Sequence, residues 1–162
     1  MARSKLVKIL LIVLPMLVGL GSWYISKDGL LIYNAMQKPP LSPPGMVFSI
    51  AWTILYLLMG IASAIVYTNE NKVQERNLGL TLHFIQLILN FFWSIIFFNL
   101  GNYVFALIWL ILLWLAVLAM ISAYKKVSQT AYILNIPYIC WLTFAAYLNL
   151  AVAIMNRPVI LR

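Results

Sequence analysis

Five apolar runs, each about 20 residues or longer, dominate this chain and leave it few ways to fold. They cover residues 6–25, 46–67, 78–98, 103–124 and 131–155. A helix of about 20 apolar residues crosses the hydrocarbon core of a bilayer. Inside lipid every backbone N–H and C=O must find a partner within the protein, so only helices or closed barrels span. The runs show no period-2 alternation and are about twice as long as a barrel strand, which argues against a barrel. The expected fold is an all-α membrane protein, a five-transmembrane-helix bundle in a single domain over residues 1–162, with no internal repeat.

Composition supports the same solvent. The chain is 65% hydrophobic and 9% charged, where a soluble domain carries roughly 25% charged residues. Asp28, Glu70 and Glu75 are its three acidic side chains, and all lie between apolar runs. The net charge of +8 does not point to nucleic acid, because the basic residues flank apolar segments as membrane-interface residues do. Cys140 is the single cysteine and His83 the single histidine. No intrachain disulfide can form, and no metal site is expected.

The first run begins like a signal peptide, with Arg3 and Lys5 ahead of it and Lys8 within its first turn. Its length exceeds a usual signal core and no clean small-residue cleavage site follows, so it is read as a span with Pro15 kinking it. The connection at 27–45 is the longest and contains Pro39, Pro40, Pro43 and Pro44. Four prolines stiffen it, which suits either a lid or, more plainly, a connector ending at a helix start. The Asn99-Leu100-Gly101-Asn102 turn makes spans three and four an antiparallel pair. With the N-terminus in the cytoplasm, that side collects Arg3, Lys5, Lys8, Lys72, Arg76, Lys125 and Lys126, against Lys27, Lys38, Arg157 and Arg162 opposite. The excess favours a cytoplasmic N-terminus.

Polar groups within spans are costly and are candidates for function. The third span places His83, Gln86, Asn90 and Trp93 on one face, at spacings of three and four. For His83 the plainer role is an interhelical hydrogen bond; for the whole stripe, bundle glue and ligand contact weigh about equally. The fifth span aligns Trp141, Ala145, Leu148 and Asn149, with Ala145 leaving room beside Trp141. The second aligns Phe48, Trp52 and Tyr56, a pattern that more often means packing. No span holds Asp or Glu, and no nucleophile–base arrangement occurs, so carboxylate proton relays and hydrolysis lack their groups. What remains suits a flat apolar ligand stacked on indoles and oriented by a few amides.

Four collinear segments then carry a family resemblance. Tyr33 and Lys38-Pro39 precede Pro43-Pro44. The second span has Phe48, Trp52, Leu55-Tyr56 and Met59-Gly60. The third has Gln86, Leu89-Asn90, Trp93-Ser94 and Ile96-Phe97-Phe98. The fifth has Pro137-Tyr138, Trp141, Phe144-Ala145 and Leu148-Asn149. Together they resemble the translocator protein family (TspO/MBR, the tryptophan-rich sensory proteins, which include the peripheral benzodiazepine receptor). The resemblance implies a five-helix bundle, usually homodimeric, that binds porphyrins such as protoporphyrin IX and haem as ligands, with no resident cofactor. It also implies a ligand site under the proline loop, lined by Tyr33, Pro43, Phe48, Trp52, Tyr56, Asn90, Trp93, Trp141, Ala145 and Leu148. Some bacterial members are reported to break down protoporphyrin in light, which makes Trp52 and Trp141 candidate redox residues and leaves no firm catalytic group.

Departures from the family pattern refine this. Ile32 and Leu41 stand where members often have Trp, and Trp109 replaces a common acid. Leu150 and Ile154 occupy the Tyr and basic positions of the animal cholesterol motif. Cholesterol transport is therefore not expected, and a bacterial cell membrane is the expected setting. Binding as a sensor or regulator, photo-degradation and transport of a lipophilic molecule are the competing activities. Gly60-x3-Ala64 and Ala119-x3-Ala123 would permit close helix approach, in a dimer or within the bundle. Walls from spans two, three and five are expected for the pocket, with the first supplying mostly its loop and the fourth lipid-facing or structural.

Overall fold

A computed structural model describes the backbone of residues 2–156 and their side chains except those of residues 2–4, 30 and 32–34. Arg157 and Arg162, used above, lie outside the described residues, as do the side chains of Arg3, Ile32 and Tyr33. Five helices make up the fold: α1 (Ala2–Ala35), α2 (Gly45–Tyr67), α3 (Val73–Ser94), α4 (Tyr103–Val127) and α5 (Gln129–Met155). Each contains a stretch long and apolar enough to cross a membrane. Among the described residues there is no strand.

The helix starts follow local chemistry. The Asn102 side chain accepts from the Phe105 N–H at 3.1 Å and opens α4. Gly101 at φ 60 makes the turn before it. Ser128 accepts from the Ala131 N–H at 3.3 Å and is the sole link between α4 and α5. At its end α3 widens into a π-helical turn, Ile95–Asn99, closed by Leu100 N–H to Ile95 O at 3.1 Å. Such turns inside helices often mark functional sites. This one stacks Trp93 on Phe97 at 5.3 Å between ring centroids.

Around the bundle the helices run α1, α2, α5, α4, α3, with α3 returning to α1. One expectation changes here. The first helix continues ten residues past 25, through Lys27 and Asp28 to Ala35, so the proline loop is only residues 36–44. A helix leaving the bilayer can persist in water until proline stops it, and Pro39 and Pro40 do so. Pro15 is buried and α1 runs through it as one helix. The fourth helix is a structural element: Ala106, Leu110, Leu113, Val117, Met120 and Tyr124 are fully buried between α3 and α5. Its opposite face, including Val104, Ile108, Ile111 and Leu115, is exposed and apolar, as a lipid-facing surface is.

Helix α1 touches its neighbours through glycines. A Cβ at Gly60 would fall 2.6 Å from the Ile12 carbonyl oxygen, and one at Gly29 2.5 Å from the Phe98 oxygen. Ser63 adds a hydrogen bond to Leu11 O at 3.4 Å beside the first contact. Gly60 is thus occupied within the bundle, and Ala123 packs 3.6 Å from the Cβ position of Gly79.

Candidate ligand cavity

Between these anchor points α1 stands away from the N-terminal half of α2 except at Gly19, against which the Tyr56 ring packs. The gap is a cavity of about 790 Å³, within the range of small-molecule sites. Its α1 wall comprises Val13, Met16, Leu17, Gly19, Leu20, Ser22, Trp23, Ser26 and Lys27. Phe48, Ser49, Trp52, Thr53 and Tyr56 of α2 face them, and Ser94 and Phe98 close the loop-side end. Many of these residues, among them Leu17, Leu20, Trp23 and Thr53, are exposed, so the cavity opens sideways where lipid would lie.

A second, much smaller space of about 30 Å³ lies under the loop. Pro43, Phe48, Trp93, Ala145 and Leu148 line it with Phe97, Phe98 and Asn149. Phe48 and Phe98 border both spaces and form the partition. The loop above is tied down by Tyr147 Oη to Pro40 O and Asn156 Nδ2 to Gln37 O, both at 3.2 Å. Leu41, at φ 69 and 78% exposed, turns it.

The expected site residues therefore divide. Phe48, Trp52 and Tyr56 line the large cavity; Pro43, Phe48, Trp93, Ala145 and Leu148 line the small one. Asn90 and Trp141 line neither. Tyr33 lies at the end of α1 with its side chain undescribed. The roomy space differs from the expected pocket in its walls: α1 supplies one whole wall of it, and the space that α2, α3 and α5 enclose under the loop is small. Ser22, Ser26 and Lys27 were missed. Their signal was Gly19, Ser22 and Ser26 at helical spacing on one face of α1.

Behind the cavity wall runs a buried hydrogen-bond chain. Tyr56 Oη donates to Asn90 Oδ1 at 2.8 Å, Asn90 Nδ2 to Tyr138 Oη at 2.9 Å, and Tyr138 Oη to Gln86 Oε1 at 2.8 Å. It ties α2, α3 and α5 and fixes the Tyr56 ring, on which Trp52 stacks at 5.3 Å and 30°. Trp93 Nε1 donates to Asn149 Oδ1 at 3.3 Å. Phe48 lies 6.2 Å from Trp52 and 5.9 Å from Trp141, so it links the two indoles. The Trp141 Nε1 is buried without a hydrogen-bond partner among the described residues.

His83 does not play the expected bridging part. It is fully buried, both ring nitrogens lack a hydrogen-bond partner among the described residues, and it lines neither space. Among the described residues no cluster of His, Cys, Asp or Glu is suited to a metal ion.

A five-helix integral membrane protein with an aromatic, laterally open cavity is the class that this fold and site define. Residues 11–155 match the model of the TspO/MBR family. The "Tryptophan-rich protein TspO" of Chlorobaculum tepidum is 38% identical over 136 residues, 84% of this chain and 86% of the relative. The "Translocator protein" of Ovis aries is 35% identical, covering 80% of this chain and 78% of its own. The "Tryptophan-rich sensory protein" of Cereibacter sphaeroides is 34% identical, with 78% of each chain covered. The chain belongs to the TspO/MBR family.

Proposed function

We propose that this protein binds a porphyrin, such as protoporphyrin IX or haem, in the α1–α2 cavity and acts as a sensor or regulator. The observation that carries the reading is the cavity of about 790 Å³ walled by Trp52 and Tyr56. Offset stacking against the indole suits a flat aromatic macrocycle. The hydrogen-bond chain behind Tyr56 holds that wall rigid, which lowers the cost of ordering on binding.

Titrating the purified protein with protoporphyrin IX in detergent is expected to quench tryptophan fluorescence saturably. Trp52→Phe is expected to weaken binding by about 1 kcal/mol, roughly fivefold, as loss of an aromatic pair does. Trp141→Phe, one ring removed from the cavity, is expected to change it less. Quenching that never saturates and equals partitioning into empty micelles refutes the reading. Light-driven porphyrin breakdown is a second activity favoured by the Trp52–Phe48–Trp141 arrangement. Under illumination in oxygen it predicts protein-dependent porphyrin loss that falls more for Trp52→Phe than for Trp141→Phe.

The lateral opening favours one alternative, transport of porphyrins or other lipophilic molecules. Flux into proteoliposomes no faster than leak excludes it. A bacterial cell membrane with a cytoplasmic N-terminus is part of the proposal. Supporting the orientation, Lys5, Lys8, Lys72, Arg76, Lys125 and Lys126 gather at one end of the bundle. There the Lys72 ammonium donates to Lys126 O. A homodimer is proposed from the family resemblance.

A further inference from the structure

Lys27 is the one charged residue lining the α1–α2 cavity among the described residues. It ends a single face of α1 formed by Val13, Met16, Leu17, Leu20 and Trp23. At 1.5 Å per residue that face is about 21 Å long, apolar for most of its length and cationic at its loop-side end. Next to it Ser26 is 6% exposed, lines the same cavity, and its Oγ has no hydrogen-bond partner among the described residues. A helical serine ordinarily returns its hydroxyl to the carbonyl one turn back.

The hydroxyls across the gap are already engaged: Ser49 Oγ donates to Gly45 O at 3.1 Å and Thr53 Oγ1 to Ser49 O at 2.9 Å. Asp28, the following residue, does not line the cavity. The Lys27 ammonium rests 4.5 Å from the centroid of the exposed Tyr24 ring. That contact is weak, and the four-carbon stem lets the ammonium turn toward the cavity mouth.

We propose that Lys27 and Ser26 form an anion-anchoring subsite that selects ligands joining a rigid apolar body to a carboxylate. The body lies along the α1 face and against Trp52, while the carboxylate takes the Lys27 ammonium and the Ser26 hydroxyl at the membrane interface. The porphyrin form of this proposal rests on the function proposed above, since protoporphyrin IX carries carboxylates on a flat ring. Fatty acids and anionic lipid headgroups offer related chemistry.

The full chain in zwitterionic nanodiscs is titrated with protoporphyrin IX and with its dimethyl ester. Lys27→Gln is expected to weaken the acid by about tenfold, the scale of a charge-assisted hydrogen bond, and to leave the ester within about twofold. Ester binding also reports that the variant is folded. Lys27→Arg is expected to retain acid binding, and Ser26→Ala to weaken the acid alone by a smaller factor. Equal effects of Lys27→Gln on acid and ester, or none on either, overturn the subsite and leave porphyrin binding standing.

A parallel titration uses pyrenebutyrate and pyrene. If neither porphyrin binds saturably but pyrenebutyrate binds in a Lys27-dependent manner, the subsite holds and the porphyrin reading falls. If pyrenebutyrate too shows no dependence on Lys27, the subsite falls. Loss of the acid's advantage in phosphatidylglycerol nanodiscs, with Lys27 present and not with Gln, supports the subsite and identifies a lipid headgroup as competitor.

Discussion

At the scale of single residues, the polar stripe on α3 divides by partner rather than by type. Gln86 and Asn90 sit in a chain in which each hydroxyl or amide donor meets an acceptor, down to Gln86 Nε2 on Met59 Sδ at 3.6 Å. His83, on the same face, has no hydrogen-bond partner among the described residues; its ring meets only Phe84 edge-on, at 5.8 Å between centroids. Spacing revealed the stripe, because a helix repeats every three to four residues. It does not reveal which hydroxyls on α2 and α5 come opposite, since that depends on the register of three helices. Replacing Asn90 with Leu orphans the buried Tyr56 hydroxyl and removes the amide donor to Tyr138 Oη, which keeps its own bond to Gln86. The variant is expected to lose about 1–2 kcal/mol, a range typical of buried hydrogen bonds within a membrane bundle. Denaturation by added sodium dodecyl sulfate measures this, and an unchanged midpoint contradicts the connected chain.

At the scale of elements, α1 departs most from its sequence reading. Lys27 and Asp28 end the apolar run, and hydropathy therefore stops the span near 25, but neither residue breaks a helix. The extension matters because it carries Ser26, Lys27 and Gly29 to positions alongside the cavity and Phe98. The π-helical turn at Ile95–Asn99 was equally hidden, since its five residues are as apolar as the helix before them. Gly60 was legible as a small residue, but whether it faced a neighbouring helix or a second copy was not. Its contact with the Ile12 backbone cannot be relieved by turning a side chain. Gly60→Ala is therefore expected to push α1 outward and destabilise the bundle by about 1–2 kcal/mol, as overpacking does. A detergent-unfolding midpoint equal to that of the parent protein contradicts this packing.

At the scale of the whole molecule, the count of helices and their lipid setting followed from hydropathy alone, while their order around the bundle did not. Short connections pair α3 with α4 and α4 with α5. The closing contacts of α2 with α5 and α1 with α3 are long-range and carry no local signal. That order decides the candidate site, because it puts α1 beside Trp52 and leaves the space under the loop at only about 30 Å³. The proposed function puts the ligand in the α1–α2 space. Leu20 lines that space and is 61% exposed, so a larger side chain there fills the cavity without a buried clash. The most direct test is the affinity of Leu20→Trp for protoporphyrin IX. The account predicts about a tenfold or greater loss in a protein of unchanged unfolding midpoint, as when a stacking surface is blocked; binding as tight as in the parent protein contradicts it.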